Sequence, residues 1–194
     1  MINKSNLHAI IVVMKIKAYN TENTYDLVLK KFEELRFASY DTIHNVHLLF
    51  NECDNDFTPP LSTRHDNMHA DFADGSGSMK AYLYSLMTWP VLIAFINGKV
   101  AAVGFYQDKD DYTYLSLIVV GHGYRGLKLA SRIYDYVESH AVNNTVRLRT
   151  SSENKTQLAI LNKRGYELIE TLENDRGNGV DTLRFIKHVS NNKK

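Results

Sequence analysis

Apolar and polar residues alternate in "MKIKAYN" (residues 14–20), and that alternation predicts a first strand. Leu27 with Val28, Phe32 and Leu35 then recur at helical spacing and predict an amphipathic helix over 22–36. A shorter second helix is expected over "IHNVHLLFNEC" (43–53). The run from Asp54 to Ser78 is polar, carries two prolines and two glycines, and reads as a long loop. Loops of that length often carry function. "MKAYLYSLMTW" follows it as a short helix.

A meander comes next. "VLIAFI" turns through Asn97-Gly98 into "VAAVGFYQ", which turns through "DKDD" into "YTYLSLIVV". Asn-Gly between two β-branched runs is a strong hairpin signal, because both turn residues tolerate positive φ. Three antiparallel strands therefore precede the glycine-containing segment "GHGYRG" (121–126). After it, Leu127, Ala130, Ile133, Tyr134 and Val137 share one helical face, while Lys128, Arg132, Asp135 and Glu138 fall mostly away from it. "TVRLRT" predicts another strand and "KTQLAILNKR" a helix, with Lys163 and Arg164 in its last turn and Gly165 as its C-terminal cap. "YELIETL" and "DTLRFIKHV" close the chain as a hairpin around "ENDRGNG".

Composition narrows the class. The chain has 194 residues, 44% of them hydrophobic, which is enough for one globular domain with a sizeable core. A net charge of +1 gives no broad attraction to nucleic acid or to an anionic membrane. The single cysteine, Cys53, excludes an internal disulfide framework and a Cys-rich zinc site, and fits a cytoplasmic protein. No segment approaches the roughly 20 apolar residues needed to span a bilayer. "LHAIIVVM" lacks a small-residue cleavage site and is not read as a signal peptide. Residues 1–13 read as an N-terminal extension that need not be native, 14–188 as the domain and 189–194 as a polar tail.

A strand, a glycine loop and a helix in succession usually hold a phosphate. Gly121, Gly123 and Gly126 match G-x-G-x-x-G in letters. A dinucleotide-binding unit, however, needs parallel strands joined by crossovers. Here antiparallel strands precede the loop and a hairpin ends the chain. The P-loop pattern fails on spacing, since Lys128 stands one place late and no Ser or Thr follows it.

"YRGLKLA" (124–130) resembles the acyl-CoA pyrophosphate loop of the GNAT superfamily of acetyl-CoA-dependent N-acetyltransferases. Arg125 stands at the first position of that pattern and Ala130 at the last, with Lys128 where the middle glycine usually is. "NKTQLAILNKRGY" (154–166) resembles the family's later motif, with Asn154, Gly165 and Tyr166 at matching spacing. The order of elements also fits. The resemblance implies an α/β (α+β) single domain with a mixed, mostly antiparallel sheet flanked by helices and two splayed central strands. It implies acetyl-CoA as co-substrate, no metal, and transfer of the acetyl group to a small-molecule or peptide amine. The near-neutral charge and the lack of a membrane-length segment lead us to expect no nucleic-acid or membrane partner, and family members often pair as homodimers. Within such a fold Ile118, Val119 and Val120 would pair with the pantetheine arm. Arg125, Gly126, Leu127, Lys128, Leu129, Ala130 and Ser131 would hold the pyrophosphate, and Asn154 would touch the arm from the other side. The Lys128 ammonium would swing toward a phosphate, and a glycine in its place would loosen the helix start.

The family often supplies a catalytic acid from a Tyr seven residues after the Asn. That position is Leu161 here, which the helical pattern assigns to the core. Tyr166, Tyr124 and Ser116 are the substitute candidates, and "YTYLSLIVV" holds no carboxylate that could act as a base. The alternative from another class is a non-catalytic acyl-CoA-binding or sensing domain of the same fold. His65 and His69 stand at i and i+4, but Asp66 replaces the glutamate of a zinc protease pattern, and the segment reads as a polar loop bordering the acceptor site. Glu170, Glu173 and Asp175 read as a solvated acidic turn, with attraction of a cationic amine as the second reading.

Overall fold

A computed structural model of the chain describes residues 13–17, 26–31, 39–64, 77–87 and 91–190. Its strands are β1 (Val13–Lys17), β2 (Asp26–Lys31), β3 (Val91–Ile96), β4 (Lys99–Asp108), β5 (Thr113–Val120), β6 (Thr145–Ser151), β7 (Glu167–Leu172) and β8 (Thr182–His188). The α-helices among the described residues are α1 (Tyr40–Cys53), α2 (Met79–Ser85), α3 (Leu129–Ser139) and α4 (Lys155–Arg164). One sheet holds all the strands in the order β1-β2-β3-β4-β5-β6-β8-β7. Every neighbouring pair is antiparallel except β5 with β6. The architecture is the mixed, mostly antiparallel one that the sequence predicts, and it excludes the dinucleotide-binding topology.

Local chemistry sets the element ends. Ser39, Ser78 and Asn154 each accept a backbone N–H from the first turn of α1, α2 and α4. Gly165 closes α4 at φ 74°, as expected of its cap. Asn97 and Gly98 turn the β3–β4 hairpin at φ 51° and 73°.

One expectation is overturned. The helix expected over 22–36 is replaced at its centre by β2, which pairs with β1 on one side and β3 on the other. Leu27, Val28 and Leu29 are consecutive, and three apolar residues in a row fit a strand as well as a helix. Pairing on both sides satisfies the backbone groups of the strand and decides the matter. The first strand also starts one residue before Met14.

The sheet carries a core on each face. Leu92, Ala94, Ala102 and Tyr106 pack toward α3 and α4, with Ile133, Tyr134 and Leu161. Val91, Ile93, Val103 and Phe105 pack toward α1 and α2, with Val46, Phe50 and Tyr82. This is the period-two alternation of a sheet covered on both sides. Gly104 lets α3 approach β4. A Cβ there would stand 2.5 Å from Cγ2 of Ile133. Among the described residues no helix is long and apolar enough to cross a membrane.

Candidate acyl-transfer site

β5 and β6 touch only where Thr113 meets Val146 and Tyr114 meets Arg147. Past that short seam they part, and among the described residues the edge of β5 facing β6 has no strand partner over 115–120. A cavity of about 670 Å³ opens in the gap. Leu115 to Ile118 form one wall, Leu148 to Ser151 the other, and the start of α4 with Tyr134 of α3 closes the end. The volume lies within the ~300–1,000 Å³ usual for small-molecule sites.

A bulge shapes the β5 wall. Phe105 stands opposite Leu117 and Tyr106 opposite Leu115, so Ser116 has no partner in the register. The Ser116 hydroxyl donates to the Phe105 carbonyl at 3.0 Å, and its own carbonyl accepts from the Tyr82 hydroxyl at 3.3 Å. The bulge also shifts the strand's phase. Tyr114 and Leu117, three residues apart, both join the core under α1 and α2.

Beyond β5 the glycine loop leads into α3. Gly126 and Lys128 take positive φ values of 82° and 60°. Lys128 is the N-cap residue of α3, and its left-handed backbone explains why the resembling family favours glycine there. The expectation that glycine would loosen this helix start is therefore reversed: glycine would relieve it. The first hydrogen bond of α3 runs from the Arg132 N–H to the Lys128 carbonyl at 3.1 Å. The N–H groups of Leu129, Ala130 and Ser131 thus have no acceptor within the helix, and they sit at its electropositive end. The Lys128 side chain is exposed.

Arg125 donates from Nη2 to Oδ2 of Asp56 at 2.5 Å, and Nε2 of His122 lies 3.0 Å from the same oxygen. Burial works against the Asp56 carboxylate, yet the hydrogen bonds from His122 and Arg125 outweigh it and hold its pKa below the usual range. Glu52 accepts the backbone N–H of His122 at 2.5 Å. Together these contacts fasten the end of α1 to the glycine loop.

Cys53, Asp56 and His122 bring a thiol, a carboxylate and an imidazole within 4.8 Å of one another, a grouping that sequence spacing did not suggest. Burial, then Glu52 and Asp56, push the Cys53 thiol up to about 11. It donates to the Val120 carbonyl at 3.6 Å.

The expected site residues distribute unevenly. Ile118, Ser116 and Asn154 line the cavity. Val119 is buried under α1 and α2, while Val120 is half-buried. Tyr124 is half-buried in the loop and Tyr166 is buried in the core, its ring 5.9 Å from that of Tyr134; neither lines the cavity. Leu161 is fully buried, as its helical position predicts. Asn154 spends its side-chain oxygen on capping α4, 3.0 Å from the Gln157 N–H. Glu170 pairs with Arg184 at 2.7 Å, and Asp175 accepts from the Thr182 hydroxyl at 2.6 Å. His65 and His69 lie outside the described residues.

Sequence reasoning missed Tyr134. It is fully buried on the core face of α3, yet it reaches the cavity and accepts a hydrogen bond from the Gln157 amide. Burial raises its pKa, so the hydroxyl stays protonated at neutral pH. The one sequence signal for it was indirect, namely the leucine at 161. Arg64, Arg149 and Arg176 were also missed, and all of them line the cavity.

Residues 48–166 match the model of the acetyltransferase (GNAT) family. The fold is similar to an acetyltransferase of the GNAT family from Bacillus cereus, with a TM-score of 0.58 and 19% identity over 84% of this chain and 98% of that one. It is similar to the ribosomal-protein-S18-alanine N-acetyltransferase of Escherichia coli, at TM-score 0.59, 14% identity, and coverage of 84% and 94%. A GNAT-family acetyltransferase from Streptococcus pneumoniae gives a TM-score of 0.58 at 16% identity, covering 84% of this chain and 99% of that one. Among curated proteins no significant sequence match is found.

Proposed function

Because the chain belongs to the acetyltransferase (GNAT) family, we propose that it is an N-acetyltransferase that moves an acetyl group from acetyl-CoA to a primary amine. The observation that carries this reading is the gap between β5 and β6, whose open strand edge leads through the glycine loop to a helix start whose first N–H groups have no acceptor within the helix. An extended amide-bearing arm can pair with such an edge while a pyrophosphate rests on the helix start. Ile118 and Val120 supply backbone groups for the arm, one of which polarises the thioester carbonyl. Residues 125–131 hold the pyrophosphate, and Asn154 approaches the arm from α4.

In the reaction the neutral amine nitrogen attacks the thioester carbon. The C–N bond forms, the C–S bond breaks, the nitrogen loses a proton, and the departing thiolate takes one. Tyr134 is the donor for that thiolate in this reading, since it is protonated and lines the cavity beside the start of α4. The domain that does this spans 14–188, together with Val13 at the start of β1.

Acetyl-CoA at 100 times its dissociation constant should stabilise the fold by about 2.7 kcal/mol. NADH and ATP at matched concentrations should do less. Release of free CoA on adding amines then separates an enzyme from a domain that only binds acyl-CoA. Stabilisation by NADH without stabilisation by acetyl-CoA would overturn the reading.

A further inference from the structure

Arg64, Arg149 and Arg176 come from the α1–α2 connection, from the middle of β6 and from the β7–β8 turn, and they line one cavity. Arg64 donates from Nε to the Pro59 carbonyl at 3.0 Å and from Nη1 to the Gly77 carbonyl at 3.2 Å. Arg176 donates from Nε to the Thr182 hydroxyl at 3.0 Å and from Nη1 to the Thr58 carbonyl at 2.5 Å. These acceptors are neutral. They fix the two guanidinium planes without cancelling their charge. Among the described residues, neither arginine forms an ion pair with a carboxylate. Burial and the neighbouring Arg64 and Arg149 lower the Arg176 pKa to about 10.

The nearby acids are engaged elsewhere or exposed to solvent. Asp54 is engaged by the N–H and hydroxyl of Ser62, and Asp56 by Arg125 and His122. Asp175, beside Arg176, lines the cavity and favours the charged form of that arginine, but it is exposed and accepts from Thr182. Glu153 is exposed at the cavity rim.

The cluster lies on the α1/α2 side of β6, whereas α3, whose start is the phosphate-binding end, packs on the other face of the sheet. Val146 and Leu148 of β6 face the core under α3 and α4, so Arg149 between Leu148 and Thr150 faces the other way. Its electrostatic neighbours Tyr82 and Tyr114 belong to the core under α1 and α2. None of residues 125–131 lines the cavity.

Resting on the acetyl-transfer reading, we propose that the acceptor is a small amine carrying its own anionic group, a carboxylate or a phosphate, and that Arg64 and Arg176 clamp it. Two guanidinium groups held in fixed planes, with no carboxylate ion pair among the described residues, suit the paired oxygens of such a group. An aliphatic diamine would meet like charge at the same place.

The test measures CoA release from acetyl-CoA with four amines of similar size: an amino acid, its carboxamide, an aminoalkyl phosphate and an aliphatic diamine. The amino acid or the aminoalkyl phosphate should exceed the carboxamide and the diamine by about tenfold or more in kcat/KM, and which of the two leads identifies the anion. Arg176→Gln should raise the KM of the preferred amine about tenfold while the KM for acetyl-CoA stays put, and Arg176→Lys should recover part of the loss. Should the Gln variant fail to fold, the native protein still decides. A dicarboxylate without an amine should inhibit competitively against the preferred amine and not against acetyl-CoA. A diamine or carboxamide that matches or exceeds the anionic amines overturns the inference alone. Acetyl-CoA binding without CoA release to any of the four overturns the transfer reading, and this inference with it.

Discussion

Gln157 in the first turn of α4 donates from its side-chain amide to the hydroxyl of Tyr134 in the middle of α3. The two helices that flank the splayed strands are thus joined at the cavity wall through one phenol. Tyr134→Phe removes the hydroxyl and keeps the ring. It should lower kcat by roughly 10²-fold or more if the phenol protonates the leaving thiolate, with stability changing by about 1 kcal/mol. Gln157→Leu removes the amide and keeps the phenol, and it should cost far less in kcat. Steady-state rates of both variants, with thermal melts, check this. Full turnover in Tyr134→Phe would end the acid role.

Lys128 carries two separable effects. Its left-handed backbone costs roughly 1–2 kcal/mol relative to glycine, so Lys128→Gly should raise the melting temperature by a few degrees. Lys128→Ala keeps the strain and removes the charge, and it should weaken CoA binding by roughly tenfold, less at high salt. Calorimetry at two ionic strengths separates the two. Tighter CoA binding by the Gly variant at every salt concentration would mean that the side chain obstructs the loop.

Gly104→Ala should destabilise the protein by about 1–3 kcal/mol through overpacking against Ile133. The double variant with Ile133→Ala should recover part of that loss, and a double-mutant cycle on denaturant midpoints reads the coupling. Additive losses would place the strain elsewhere.

Glu138 joins three elements, with Arg164 of α4 at 2.8 Å and Lys187 of β8 at 2.7 Å. Burial opposes its charge, yet hydrogen bonds from those two cations hold its pKa below 4.5. A depressed folded pKa contributes stability above the unfolded value, and that stability is lost as pH falls through the folded value. Glu138→Gln should therefore cost about 1.5–3 kcal/mol at pH 7 and flatten the stability curve below pH 4.5. Chemical denaturation from pH 3 to 7 measures both.

The meander, the glycine loop and the closing hairpin were legible because each is written locally. Asn97-Gly98, Asn154 and Gly165 act within a few residues of themselves. β2 was misread because Leu27, Val28 and Leu29 satisfy two periods at once, and only pairing with β1 and β3 chooses between them. The backbone of Lys128 could not be read from its letter, since lysine rarely takes that conformation. The arginine cluster was out of reach for another reason. Residues 64, 149 and 176 meet only after the long connection, the splay and the last turn are all in place.

The seam of Thr113 with Val146 and Tyr114 with Arg147 makes the sheet two panels on a hinge. β1 to β5 form one panel, and β6, β8 and β7 the other. Each panel is internally laced along whole strands, whereas backbone pairing across the join is confined to one end and the core under α3 and α4 spans both panels. A ligand that threads the gap works as a clasp, tying the free ends together. Amide protons at the tips of β5 and β6 should then exchange fast in the free protein and slowly once the gap is filled.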